Sequence, residues 1–161
     1  PRSFGATCVK SEAFRALFKA GMALVETTAC YLDGDGRAAS NKLSRKVALA
    51  YASESMRLTT RLMQVASWLL VQRAVSEGEI TPVQAKREKE RVKLVAQDRS
   101  VADEQFDDLP EAIRDLIGQS LRLHARIMHL DGLMTGAASS RPARSPVAQQ
   151  QRLLRSMFEV G

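Results

Sequence analysis

The chain has 161 residues, of which 45% are hydrophobic, 5% aromatic and 26% charged, with a net charge of +6. This length allows one domain with a tail, and the composition is typical of helical bundles. No apolar run approaches the roughly 20 residues that a membrane span needs. Cys8 and Cys30 would lie roughly 30 Å apart across a mostly helical segment, which excludes a disulfide between them and fits a cytoplasmic protein.

The first helix is predicted over residues 11–32, after an irregular start at residues 1–10. Ser11 is a suitable N-cap, and the apolar residues that follow keep helical spacing. Gly21 indicates close approach of a neighbouring helix, because glycine otherwise costs about 1 kcal/mol inside a helix. The glycines and aspartates at 33–36 indicate a turn. They lack the further ligands of a calcium loop and the preceding strand of a phosphate-binding loop.

A long helix over residues 43–77 is the element around which the chain is organised. This segment contains neither proline nor glycine, and Gly78 is a good C-terminal stop. One apolar stripe keeps helical spacing: Val47, Tyr51, Leu58, Leu62, Val65 and Leu69. All of these except Val47 are predicted to be core. A second stripe flanks it: Ala48, Ala52, Met63, Ala66, Leu70 and Ala74. Two adjacent stripes predict a helix that is buried on more than one side.

The remaining helices are shorter or more polar. Thr81 as N-cap and Pro82 at the first helical position restart a helix in a mostly charged segment with a thin apolar stripe. Residues 97–108 are predicted to be a flexible link, and the last long helix covers residues 110–134.

These elements predict an all-α protein. Its architecture would be an antiparallel three-helix bundle with a very long central helix and a charged helical segment between helices 2 and 3. The bundle domain covers residues 1–135. Residues 136–161 are a flexible basic tail, which could form a short amphipathic helix near its end.

No catalytic constellation is present in the sequence. His124 and His129 are five residues apart and do not share a helical face, and His124 is expected in or at the edge of the core. Neither cysteine has the basic or helix N-terminal setting of a reactive thiol. The sequence therefore predicts a protein that is not an enzyme and has no metal or cofactor.

The predicted helix lengths indicate a protein-binding surface. A 22-residue first helix would cover about two thirds of the long helix, so residues 67–71 would need cover from another segment or another subunit. Trp68 is predicted to be either core or a buried anchor of a protein interface. The other candidates are exposed polar groups at the turn and along one ridge of the long helix: Asp33, Arg37, Glu54, Arg57 and Arg61. The alternative for the ridge is a solvated face with intrahelical ion pairs.

Two motifs resemble a known family. YLDGDGR at residues 31–37 and ALAYASESMRLTTRLMQVASWLLVQRAVSEGEIT at residues 48–81 are similar to the regulator-of-CtrA-degradation family of bacterial cell-cycle proteins. The resemblance covers roughly Ser3 to Met134. Residues 80–108 and the tail match this family only in character.

The resemblance implies a three-helix bundle that forms homodimers and acts as an adaptor of the ClpXP protease. Such adaptors dock on a protease primed by the response regulator CpdR and tether protein cargo, in some cases with a cyclic-di-GMP-binding partner protein. The expected location is the cytoplasm, with recruitment to a cell pole. The alternative is a basic helical regulator associated with nucleic acid, although the sequence offers no helix-turn-helix and few aromatic residues for stacking.

Overall fold

A computed structural model describes residues 2–92 and 103–139, and within them the side chains of residues 11–92 and 104–134. Every regular element in these ranges is a helix, so the all-α prediction is confirmed for the described residues. The helices are α1 (Arg2–Asp33), α2 (Asp35–Ser40), α3 (Arg45–Ser76), α4 (Pro82–Arg91), α5 (Asp103–Phe106) and α6 (Glu111–Ser139). Part of the predicted link and most of the predicted tail lie outside the described residues.

The predicted first helix was too short at its N-terminal side. α1 begins at Arg2 and has 32 residues, the same length as α3. Residues 2–10 contain no proline, and a helix that has already nucleated gains one hydrogen bond for each residue added. The prediction that the long helix extends far beyond the first helix is therefore wrong.

A tight corner joins α1 to α3. Gly34 N–H donates to the Cys30 carbonyl at 3.0 Å and ends α1, but helix resumes at once in α2, where only a turn was predicted. Gly36 is buried, and a Cβ atom there would lie 2.6 Å from Tyr51 Oη and 2.7 Å from the Tyr31 carbonyl oxygen. Any side chain at residue 36 would therefore push α2 away from α1 and α3.

Local signals set both ends of α3. At its start, the side chain of Ser44 accepts a hydrogen bond from Val47 N–H at 3.4 Å. At its end, Gly78 has a φ of +74°, and the next amide, that of Glu79, donates to the Ala74 carbonyl at 2.9 Å. This pattern caps the last carbonyls of a helix and needs a glycine, so the helix stops where it was predicted to stop.

The inner face of α3 is the centre of the core. Its predicted apolar residues Tyr51, Leu58, Leu62, Val65 and Leu69 are at most 7% exposed. A Cβ at Gly21 of α1 would lie 2.5 Å from Leu69 Cδ1 and 3.7 Å from Leu123 Cδ2 of α6. The predicted close approach at Gly21 is thus confirmed, and α1, α3 and α6 meet there.

The two later helices follow the predicted signals at their starts more closely than at their ends. Thr81 and Gln84 form a reciprocal capping box at the start of α4, with Pro82 in the first turn. α6 continues to Ser139, beyond the predicted end at Met134, so the predicted domain boundary at 135/136 falls within a helix.

The chain divides into two compact units, residues 1–126 and residues 127–161.

Candidate protein-binding surface

The corner between α1 and α3 carries two of the predicted binding residues. Asp33 is the last residue of α1 and Arg37 lies in α2, and both side chains are exposed. The hydroxyl of Ser40 donates to the Arg37 carbonyl at 2.8 Å, which helps to fix the short α2 backbone. Because Gly36 packs against Tyr51, the corner lies beside the second turn of α3. Both charges are therefore held on an ordered surface.

Glu54 and Arg57 form an ion pair on α3. Arg57 Nη1 donates to Glu54 Oε1 at 3.1 Å, and the side chains are 36% and 10% exposed, respectively. The predicted exposure of Glu54 is therefore wrong, whereas Arg57 is partly accessible. Spacing of three residues allows such a pair within one helix, as the alternative interpretation of the ridge had it.

Arg61 is buried, with 5% of its surface exposed, so its predicted exposure is also wrong. Its Nη1 donates to Ser120 Oγ of α6 at 2.8 Å, and the Ser120 hydroxyl donates to the Ile117 carbonyl at 2.7 Å. α6 thus packs over the ridge that carries Arg61 and provides a polar partner in place of water. The available signal was a serine within the apolar stripe of the last helix.

His124 lies near the same buried arginine. It is 7% exposed, as expected of a core or boundary histidine. Burial, and after it the positive charge of Arg61, lowers the pKa of His124 from its ordinary value of 6.5. Within the part of the chain that the structure describes, no group forms a hydrogen bond with its Nε2 atom. The neutral imidazole is therefore the form that this packing favours.

Trp68 is part of the core of the single chain, with 2% of its surface exposed. Lys89 Nζ of α4 lies 4.7 Å from the centroid of the indole ring and donates to Gln72 Oε1 at 2.8 Å. A cation over an aromatic ring is attractive. The charged segment, which was predicted to be a solvated helix, therefore also covers the tryptophan. Ala85 of the same helix is buried.

An exposed apolar row runs along the outer face of α3, and sequence analysis did not predict it. We call it the α3 stripe; its members recur at seven-residue intervals and are 64%, 73%, 66% and 52% exposed: Leu49, Met56, Met63 and Leu70. Met63 and Leu70 belong to the second stripe that was predicted to be buried, so that prediction is wrong for both. No helix of residues 2–92 and 103–126 covers them, although their spacing is that of a helix packed against another.

The polarity of α3 is reversed relative to an ordinary surface helix. Between Val47 and Gln72, the fully exposed residues are all uncharged, whereas Glu54 and Arg61 are buried and Arg57 is half-buried. Monomeric proteins rarely expose a contiguous apolar row of this kind, and such rows mark interaction sites. The outer face of α3 is therefore a candidate protein-binding surface.

Neither a metal site nor a membrane span is present in the described residues. No group of three or more His, Cys, Asp or Glu side chains there could hold a metal ion. None of the helices in the same part of the chain is long and apolar enough to cross a membrane.

Comparison with known proteins gives the family. The model of a family described as a protein of unknown function (DUF1465) matches residues 5–158. The chain belongs to this family. It is also 52% identical to RcdA from Caulobacter crescentus CB15, whose crystal structure it matches with a TM-score of 0.61 over 75% of this chain and 89% of that one. The resemblance to the regulator-of-CtrA-degradation family is thus confirmed. No curated protein matches the chain.

Proposed function

We propose that this protein is a non-enzymatic adaptor that tethers cell-cycle regulatory proteins to the ClpXP protease after CpdR has primed it. The observation that carries the proposal is the 52% identity to RcdA, because the regulator-of-CtrA-degradation family is expected to act in this way. A tether raises the effective concentration of cargo at the protease without any chemistry of its own. Such a protein needs at least two binding surfaces and no cofactor.

The proposed partners are ClpX or the assembled ClpXP protease, CpdR and protein cargo, with a cyclic-di-GMP-binding protein for part of the cargo. The proposed location is the cytoplasm, with recruitment to a cell pole by the protease complex. Nucleic acid and membrane are not proposed as partners.

The proposed architecture is an antiparallel three-helix bundle of α1, α3 and α6 that pairs with a second copy through the α3 stripe. Four large apolar side chains at seven-residue intervals, separated by small uncharged ones, suit knobs-into-holes packing of two helices. A two-fold axis would bring the same row of each copy together. This explains why the outer face of α3 lacks charges.

We divide the predicted binding residues by their exposure. Asp33, Arg37 and Arg57 are accessible and are proposed to contact CpdR or cargo directly. The buried members, Glu54, Arg61 and Trp68, are proposed to act by holding that surface in place, through Arg57, Ser120 and α4, respectively.

A reconstituted degradation assay tests the function. Purified ClpXP, CpdR and a developmental regulator as cargo are mixed with or without the protein, and cargo loss is followed over time. We expect degradation to depend on the protein, and the charge-reversed variant with Arg37→Glu and Arg57→Glu to slow it at least about tenfold, the effect of losing about 1.4 kcal/mol of binding. The matched control reverses two exposed cations on α4, Lys86→Glu and Arg87→Glu. Cargo loss at the same rate without the protein would overturn the proposed function.

Self-association is tested by sedimentation over low to high micromolar concentrations. We expect a dimer for the wild type and a monomer when Met56→Asp and Met63→Asp are combined, because two carboxylates would have to be desolvated at the interface. Val83→Asp changes an equally exposed apolar residue outside the stripe and should leave the dimer intact. A monomeric wild type throughout this range would contradict the proposed pairing.

A further inference from the structure

A cluster of cations occupies the connection from α2 to α3. We call it the basic corner; its four residues are Arg37, Lys42, Arg45 and Lys46. All four side chains are exposed, and residues 36–53 contain no acidic residue. The four lie within ten consecutive residues, and the capped start of α3 fixes the last two on a single turn. The corner is therefore a compact positive surface on ordered backbone.

The basic corner is one of several groups of cations that have no partner in the described residues. Lys86 and Arg87 of α4 are unpaired too, but Glu88 and Glu90 follow them directly, whereas residues 37–46 contain no acid. Arg57, Arg73 and Arg91 each form an ion pair with an acid of their own helix, at 3.1, 3.1 and 3.6 Å. In residues 2–92 and 103–139, by contrast, the structure assigns no side-chain hydrogen bond or ion pair to any member of the basic corner. Asp33 and Asp35 are exposed just before Arg37, so residues 33–46, with four cations and two acids, carry a net charge of +2.

Stability of the fold does not account for this cluster. Cations in the first turn of a helix oppose the helix dipole and are unfavourable there. α3 has Arg45 and Lys46 there and no acid. Its first amides do not need an anion as a cap, since the Ser44 side chain already accepts from Val47 N–H. A surface that lowers stability and keeps its charge unpaired is typical of a binding function.

We propose that the basic corner binds an acidic segment of a protein partner, a stretch of peptide rich in aspartate and glutamate. Lysine and arginine together can take up several carboxylates of an extended chain. Protein is favoured over nucleic acid because the nearby aromatic rings, Tyr31 and Tyr51, are buried or half-buried and offer no face on which bases could stack. The uncharged outer face of α3 also follows within one turn, so the patch is too short for a phosphate track.

The inference rests on the proposed function for the identity of the partner, but its test does not. A fluorescein-labelled peptide of twelve alternating aspartate, glutamate and glycine residues is titrated with the full chain at low and at physiological salt. The test variant combines Lys42→Gln, Arg45→Gln and Lys46→Gln. The matched control removes the same charge from α4 with Lys86→Gln, Arg87→Gln and Arg91→Gln. Far-UV circular dichroism and the melting temperature check that both variants fold.

We expect the corner variant to lose at least about tenfold in affinity for the peptide and the α4 control less than about twofold, with binding of the wild type weakening as salt rises. A charge-conserving variant, Lys42→Arg with Lys46→Arg, should bind like the wild type. Equal losses in the corner variant and the α4 control would overturn the proposal. So would tighter binding of a labelled DNA duplex with the same corner dependence, which would make the corner a nucleic-acid contact. The peptide titration contains neither protease nor cargo. A negative titration would therefore leave the proposed adaptor function intact, and a negative degradation assay would leave the peptide result intact.

Discussion

The two long faces of α3 have nearly the same apolar pattern and opposite environments. On the inner face, Leu58 and Val65 are 0% exposed and seven residues apart. On the outer face, Met56 and Met63 have the same separation and are 73% and 66% exposed. The hydrophobic period of a helix therefore does not tell whether a face is covered by another element of the same chain.

The charged side chains in the middle of α3 lie mostly toward the inside of the chain. Burying an ion without a partner is costly, yet Glu54 and Arg61 are buried and find partners in Arg57 and Ser120. Over the same length, the most exposed side chains of α3 are uncharged. The proposed pairing with a second copy would account for this difference between the two faces.

The largest expected effect compares one alanine substitution on each face. Leu58→Ala removes a fully buried side chain and should lower the free energy of unfolding by about 2–5 kcal/mol. Met63→Ala removes an exposed one and should change the unfolding of the single chain by less than about 0.5 kcal/mol. Urea denaturation at submicromolar and at high micromolar protein separates folding from pairing, because only the paired state depends on concentration.

Leu58→Ala should be destabilising at both concentrations, and Met63→Ala only at the higher one. If Met63→Ala destabilises the dilute protein as much as Leu58→Ala does, the outer face is covered within the chain and the comparison fails.

Much of the helical layout could be predicted, because local chemistry specifies it. Gly78 and Thr81 mark the end of α3 and the start of α4 by a turn and a cap that depend on neighbouring residues only. The start of α3 was predicted at residue 43, whereas Ser44 caps the helix and it begins at Arg45. The start of α1 could not be predicted in this way, since Ser3, Thr7 and Ser11 are all suitable N-cap residues and α1 begins before them.

The exposure of the candidate binding residues was harder to predict, because it depends on the packing of distant segments. Arg61 looks like a surface residue until Ser120, 59 positions later, is placed beside it. Trp68 could be core or anchor until Lys89 is found over its ring. Asp33 and Arg37, in contrast, are exposed as predicted, although Arg37 lies in the short helix α2 and not in a turn.

The next effect in size concerns the polar link between α3 and α6. Ser120→Ala removes an acceptor from the buried Arg61 guanidinium and should lower the free energy of unfolding by about 1–3 kcal/mol. Ser53→Ala is the matched control, since Ser53 is an exposed hydroxyl on α3. Urea denaturation of the dilute protein measures both. Equal, small effects of the two substitutions would show that Arg61 does not depend on Ser120.

A smaller effect should appear on acidification. The pKa of His124 is lowered in the folded state by burial and by Arg61, so the unfolded chain takes up a proton first. Stability contributed by neutral His124 is present above pH 6.5, the ordinary pKa, and is lost as the pH falls from there through the lowered pKa. We therefore expect the urea midpoint to drop more between pH 7.5 and pH 5.5 for the wild type than for His124→Gln. Parallel curves for the two proteins would contradict a lowered pKa.

The smallest expected effect concerns the exposed ion pair between Arg73 and Glu77 at the end of α3. It contrasts with the partly buried pair of Arg57 and Glu54. Arg73 Nε donates to Glu77 Oε1 at 3.1 Å, with both side chains about half exposed. Water and salt screen such a pair, and the negative end of the helix dipole opposes an acid at this position. Glu77→Gln should therefore cost about 0.3 kcal/mol at low salt and nothing measurable at 1 M salt, where the screening length is about 3 Å. Glu79→Gln removes an equally exposed acid just beyond the helix and serves as the control. A loss above about 1 kcal/mol that persists at high salt would show that Glu77 and Arg73 are shielded from water in solution, which the half-exposed geometry of the single chain does not allow.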